Sequence, residues 1–422
     1  MLQLLRFRRS QKRLLFSVLP LVVLLTVAGL SCTPPAAACA CLDSGDAALA
    51  LPVENTHNNQ LLESWQAYRS RFIQADGRVI DREDGDRTVS EGQAYAMLRA
   101  VTINDPDTFK RTYAWAKENL IRLDAEGQPS DLLWAWKWGQ QPDGSWGTLD
   151  ANFATDADVD AATALIMAAE RWNCPQYLDE ARALLADIWA YGTLDLPDGS
   201  RQLIPGPAEA FRIEQAQIIL NPSYFAPASF RLFAEIDPDR NWQSLIDSGY
   251  AMLDDLADFS ATGLPPDWVV YAPAFGTYRQ MPLDHSLQSR YSFDAFRVWW
   301  RVSQDAAWSS EPRAQAYLEA RLPELIGRWQ KKGRLPARLT LDGGAEASFE
   351  ATAHYAMLYP ALLRVDDAIA AEILSQKLQP AYSDGFWDSD IAYYTQNLAW
   401  FGLLPLEVSP DRIAAAEGSC DL

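Results

Sequence analysis

Long and short links alternate along this chain, and that alternation restricts its fold more than any other feature. From about residue 55 apolar residues recur at three- and four-residue spacing almost without a break. The periodicity predicts helices near 59–73, 90–103, 106–122, 156–172, 176–191, 222–235, 240–258, 289–303, 311–331, 348–360, 366–377 and 391–402. Links after even-numbered helices are short, as in Asn104-Asp105, Asn173-Cys174-Pro175 and Asp237-Pro238-Asp239. Links before them are long: 74–89, 123–155, 192–221, 259–288, 332–347 and 378–390. Twelve helices in six hairpins, with every long link on one side, suit a closed double ring. Each hairpin buries one face against its neighbours, so the inner helices should be the more apolar. Ala161 to Ala169, Ala351 to Leu362 and Leu398 to Leu404 fit that demand. An open solenoid would need more regular repeats, and strict repetition is absent. The expected fold is all-α, an (α/α)6 barrel in one domain over 58–405, with a tail at 406–422. Strands are expected only as short loop segments such as Trp268-Val269-Val270-Tyr271.

The first forty residues read as an export signal or N-terminal anchor, followed by a linker over 41–57. A basic start precedes the apolar run Leu14 to Leu30, and Ala38-Cys39-Ala40 suits signal cleavage. A seventeen-residue, almost wholly apolar run is long for a signal and short for a span, so an uncleaved anchor stays open. Cys32, Cys39 and Cys41 offer lipid attachment, ranked below cleavage because Gly29 stands where a lipoprotein signal carries Leu. Arg8-Arg9 is poorly continued for twin-arginine export. The expected location is periplasmic or secreted, with membrane contact only through an uncleaved or lipidated N-terminus. The formal charge is −20, and losing five basic residues from the first thirteen takes it to −25. Such a surface repels nucleic acid and anionic lipid. Past residue 41 only Cys174 and Cys420 remain, which predicts no disulfide framework. The three histidines, His57, His285 and His354, lack metal-ligand spacing, so no metal or cofactor is expected.

Four polar motifs fall at starts of even-numbered helices, hence on the long-link face. In Ser90-Glu91-Gly92-Gln93 the spacing of Ser and Gln predicts a capping box, with Glu91 on the first turn. Acidic residues favour that position through the helix dipole alone. In Thr155-Asp156-Ala157-Asp158, Thr155 is a candidate cap and Asp158 a third-position partner. Asn221-Pro222-Ser223-Tyr224 and Tyr291-Ser292-Phe293-Asp294-Ala295-Phe296-Arg297 complete the set. Capping accounts for each motif singly; it does not account for three carboxylates converging on one mouth.

Asp156, Asp158 and Asp160 alternate as in a calcium loop, but the required glycine and distal glutamate are missing. A metal–diphosphate site would want basic residues, and this stretch has none. Sixteen tryptophans form a heavy load. Trp134, Trp136, Trp138 and Trp146 sit in the link before the aspartates, and Trp268 in another. Indole faces stack on pyranose rings, which suits a glycan cleft; packing between loop and barrel competes at each position. Glycoside hydrolysis needs a protonated carboxyl for the leaving oxygen and an ionised one for the nucleophile.

On these residues the chain resembles glycoside hydrolase family 8, inverting β-1,4-endoglucanases and relatives on an (α/α)6 barrel. The resemblance runs from about Leu61 to Gly402. It is carried by Ser90-Glu91-Gly92, Ala154 to Trp172, Asn221 to Pro227, Gly263 to Trp268 and Tyr394 to Gly402. Ala161 departs where Ile or Met is usual, and Phe293 where Tyr is usual. The resemblance implies Glu91 as proton donor and Asp294 as the base that activates water. It implies that Asp156 holds the sugar at the cleavage site and raises the acid's pKa. Arg297 would orient Asp294 and Tyr224 would hold the water. Beside what the resemblance implies, Trp134, Trp136, Trp138 and Trp268, read from the long links, and Asp158 are the further candidate substrate contacts. The implied substrate is cellulose-type β-1,4-glucan, and cellulose-synthesis machinery is an implied partner. Xylan, lichenan and chitosan are alternatives in the same family. A catalytically silent glycan-binding protein is the alternative from another class.

Overall fold

The computed structural model of the protein describes residues 48–213 and 217–415. The chain runs through α1 (Asn58–Phe72), α2 (Ser90–Thr102), α3 (Pro106–Asn119), α4 (Thr155–Arg171), α5 (Pro175–Tyr191) and α6 (Pro227–Ile236). It continues through α7 (Trp242–Phe259), α8 (Phe296–Trp308), α9 (Pro312–Lys332), α10 (Thr352–Val365), α11 (Asp367–Ile373), α12 (Tyr393–Leu403) and α13 (Pro410–Ala415). The even helices α2 to α12 form the inner ring, each packed on the next, and the odd helices α1 to α11 lie outside. The (α/α)6 barrel is thus the fold.

Burial separates the two rings as the sequence requires. Helix α2 is buried around its whole circumference save Glu91. Helix α3 buries one stripe, Phe109, Thr112, Tyr113 and Ala116, the spacing of a single helical face. The ring closes where α12 returns to α1 and α2. Arg99 donates to Asn397 Oδ1 at 3.2 Å, and Trp400 Nε1 donates to the Leu61 carbonyl at 3.0 Å. Arg99 is wholly buried among the rings of Trp65, Tyr68 and Trp400, with cation–π contacts replacing much of its lost hydration. Two short links turn on asparagine with positive φ, Asn104 at 62° and Asn173 at 45°, a geometry Asn tolerates.

Several elements differ from the expectation. Helix α8 begins at Phe296 rather than 289, because Ser292–Ala295 is held as a turn. Helix α6 begins at Pro227, since prolines at 222 and 227 confine the start of the segment to one 3-10 turn. The link 123–155 contains a long antiparallel hairpin, Pro129–Gln140 with Trp146–Phe153, which also pairs Thr88–Val89. Register shifts around Lys137 break its alternation, which hides the strand from a period-two reading. The short strand expected near 268–271 is present as Val269–Ala272, in a four-stranded sheet.

Packing extends past the expected ends of the domain. Leu49, Leu51 and Val53 lie on the core, and Ala50 N–H donates to the Ile103 carbonyl at 3.0 Å. Ile413 of α13 is buried. Cys174 is disulfide-bonded, a bond that the expectation of no disulfide framework past residue 41 did not include. The export segment lies outside the described residues. Among those described, no helix is long and apolar enough to cross a membrane.

Candidate active site

The long links open onto a cleft of about 410 Å³ at one mouth of the ring, reached by Glu91, Asp156, Asp294, Arg297, Tyr224 and Trp136. Glu91 stands on the first turn of α2, as expected, but no capping box puts it there. Val89, not Ser90, precedes the helix, and the Ser90 hydroxyl is buried without a hydrogen-bond partner. Gln93 turns inward instead, accepting from Val79 N–H at 2.6 Å and donating to the Thr112 carbonyl at 2.9 Å. The glycine beside Glu91 does admit a bulky neighbour. A Cβ on Gly92 would lie 2.0 Å from the Tyr393 hydroxyl.

Arg297 is the hub. Its Nη1 donates to Glu91 Oε1 and to Asp156 Oδ2, the latter at 2.8 Å. Its Nη2 donates to Asp294 Oδ1 and to Ser223 Oγ, each at 2.9 Å. Three carboxylates from α2, α4 and the turn before α8 therefore share one guanidinium. Below it, Arg301 holds Asp160 through two bonds of 2.8 and 2.7 Å, a second buried pair on the same helices.

The environment separates Glu91 from Asp294. Burial pushes the Glu91 carboxyl up to about 7; Arg297 pulls it down, Asp156 and Asp294 push it further up, and the Tyr95 hydroxyl pulls it down. Burial thus outweighs the like charge of Asp156 as the cause. Tyr95 donates to Oε1 at 3.1 Å, so Oε2 is the oxygen without a hydrogen bond. Asp294 is raised by burial too, but more donors serve its charge. Arg297 bonds Oδ1, Trp268 Nε1 bonds Oδ2 at 3.0 Å, and the Asn221 amide adds a pull from beyond hydrogen-bonding geometry. Asp294 is also the more open of the two, with 32% of its side chain exposed against 19%.

Not every candidate reaches the cleft. Trp134 is 4% exposed and packs against Tyr113 in the core. Asp158 is wholly buried below the mouth, where its Oδ1 accepts the Trp134 N–H at 3.0 Å. Burial raises its pKa well above the ordinary value, and its contact with Trp134 N–H makes it a structural acceptor. Thr155 caps nothing and donates to the Ile204 carbonyl at 2.5 Å. Trp138 stacks on Trp146 at 5.3 Å with Arg78 against both rings, away from the cleft wall. Trp268 stacks on Phe211 at 6.0 Å and spends its N–H on Asp294, so it orients a carboxylate. Tyr224 lies over the Arg297 guanidinium at 5.4 Å. Tyr95, four residues after Glu91 on one helical face, went unnoticed in the sequence although that spacing signals contact. Asp267, within the segment Gly263 to Trp268, also joins the site, through bonds to Ser292 and Ala295 that the sequence does not signal. Among the described residues no group of three or more His, Cys, Asp or Glu is placed to hold a metal.

A closed ring of helix pairs, open at one end onto carboxyl groups that share one guanidinium in unlike surroundings, is an arrangement suited to a glycoside-cleaving enzyme. The chain belongs to the Glycosyl hydrolases family 8, whose profile matches residues 39–406. It is 31% identical over 341 residues to an endoglucanase of Pseudomonas fluorescens (strain SBW25), covering 76% of this chain and 84% of that protein. An endo-1,4-D-glucanase from Vibrio fischeri ES114 superposes with a TM-score of 0.69 at 27% identity, over 81% of this chain and 93% of that one. A β-1,3-1,4-glucanase from Paenibacillus sp.X4 superposes at 0.70 with 19% identity, over 86% and 96%, a likeness of fold.

Proposed function

We propose that the protein is an endo-acting β-1,4-glucanase that works with inversion, Glu91 being the general acid and Asp294 the general base. The observation carrying this reading is the division of labour around Arg297. One carboxyl titrates near 7 with an unbonded oxygen, while the other is bonded on both oxygens by N–H donors. Glu91 passes its proton from Oε2 to the glycosidic oxygen as the bond to C1 breaks. Asp294 takes a proton from water, whose oxygen bonds to C1 from the opposite face of the ring. Each turnover leaves Glu91 ionised and Asp294 protonated, and solvent restores both. Inversion needs about 6.5–9.5 Å between the two carboxyls so that water fits. Arg297 is bonded to each of them through a different nitrogen. Trp136 on the cleft wall supplies an aromatic face for the sugar.

The glucan specificity is supported by the endoglucanase names of relatives near 30% identity. Export is supported by the N-terminal apolar run and by the disulfide at Cys174, a bond typical of oxidising compartments. A panel of carboxymethylcellulose, mixed-linkage glucan, xylan and chitosan tests the reading. Rapid viscosity loss with few reducing ends on carboxymethylcellulose is expected. Preference for xylan or chitosan would reassign the substrate, and no reducing ends from any polymer would favour a silent glycan-binding protein.

A further inference from the structure

We propose that Asp267 is a positioning residue for Asp294, fixing the turn from which that carboxylate enters the cleft. The inference rests on Asp294 acting as the base. Helix α8 starts without a side-chain cap, but its first N–H groups, on Phe296, Arg297 and Val298, bond carbonyls of the preceding turn, so it is that turn which needs outside partners, for the N–H groups of Ser292 and Ala295. Asp267 supplies them from a distant link. Its Oδ1 accepts Ser292 N–H at 3.1 Å and Ala295 N–H at 2.9 Å, and its Oδ2 accepts the Ser292 hydroxyl. These bonds bracket Asp294 on both sides.

The next residue finishes the arrangement. Trp268 Nε1 holds Asp294 Oδ2 at 3.0 Å, so consecutive residues grip the backbone and the carboxylate of the same base. The grip is anchored: Asp267 N–H donates to the Arg290 carbonyl at 2.7 Å, and Val269–Ala272 is an interior strand of its sheet. A third tether comes from α12, where the Tyr394 hydroxyl donates to the Phe293 carbonyl at 3.0 Å. Asp267 itself is 5% exposed and is not part of the cleft wall, so it acts through Asp294. Burial pushes its carboxyl up to about 7, with the charge of Asp294 adding to the rise. Asparagine reproduces the protonated form: its oxygen can take both backbone N–H groups, and its amide can donate to the Ser292 hydroxyl.

The test compares Asp267→Ala with Asp267→Asn on soluble β-glucan, with Asp294→Asn alongside. Misplacing a reacting group by about 1 Å costs roughly 100-fold in rate. Asp267→Ala should therefore lose about 100-fold in kcat with KM changed less than about 3-fold, while Asp267→Asn stays within about 3-fold of the parent in both. Asp267→Ser, with one short acceptor, replaces the alanine variant should that not fold, and should also lose kcat with KM retained. Wild-type kcat in the alanine or serine variant, or equal losses in alanine and asparagine variants, would overturn the positioning role while Asp294→Asn stays inactive. Full activity in Asp294→Asn would overturn the base assignment, and the positioning role with it.

Discussion

Arg297 and Asp156 meet at 2.8 Å with side chains only 2% and 3% exposed, a buried ion pair in the cleft floor. Removing one partner of such a pair leaves an uncompensated charge and costs about 3–5 kcal/mol. Arg297→Met should lose roughly that much stability in denaturant unfolding. Arg297→Lys keeps the charge but not the planar fork that serves Glu91, Asp156, Asp294 and Ser223 together. It should fold, with kcat reduced on the order of 100-fold through misplacement of the carboxyls. Near-parental kcat in the lysine variant would show that the fork is dispensable.

The pH profile follows from Glu91. A general acid works only while protonated, so kcat/KM should fall as pH rises through about 7. Tyr95 lowers this pKa by donating to Glu91 Oε1. Tyr95→Phe removes that donor, so the alkaline limb should move to higher pH. A limb that moves down, or stays fixed, would place the titration elsewhere.

Stability should follow the same groups. Glu91 and Asp267 both titrate near 7 when folded, above their unfolded carboxylate values near 4. Each binds its proton more tightly in the folded state. The stability they contribute is complete below about pH 4 and is lost as pH climbs through about 7. Melting should therefore occur at a higher temperature at pH 5 than at pH 8. Glu91→Gln should narrow that difference and melt above the parent at pH 8.

Two tryptophans two residues apart should behave in opposite ways. Trp134 is core, so Trp134→Ala should destabilise by about 3–5 kcal/mol. Trp136 lines the cleft, so Trp136→Ala should leave melting close to the parent and raise KM on polymer several-fold. Calorimetry with initial-rate kinetics on both variants checks the contrast.

These residues also show how much was legible beforehand. Helical periodicity and alternating link lengths report on burial along each segment, and they led to the ring and to the mouth that holds Glu91, Asp156 and Asp294. Local motifs were weaker guides. Ser90 and Gln93 had capping-box spacing, yet Gln93 is drawn inward by Val79 and Thr112, contacts that depend on tertiary packing. Asp158 shares a motif with Asp156, but the two point into different surroundings one below the other. The tryptophans could not be sorted because one residue type serves core, stack and cleft, and the bulged strand that assigns those roles has no clean alternation. Asp267 was hidden because its partners, Ser292 and Ala295, are brought to it by the fold.

The anomeric form of the first product tests the central claim most directly. Proton NMR of a cello-oligosaccharide digest, followed from the first minutes, reads the new reducing end before mutarotation scrambles it. Glu91 and Asp294 acting across a water predict the α-anomer first, with β appearing only as the sugar equilibrates. Initial release of the β-anomer would mean a covalent, retaining route and would contradict the roles given to both carboxyls.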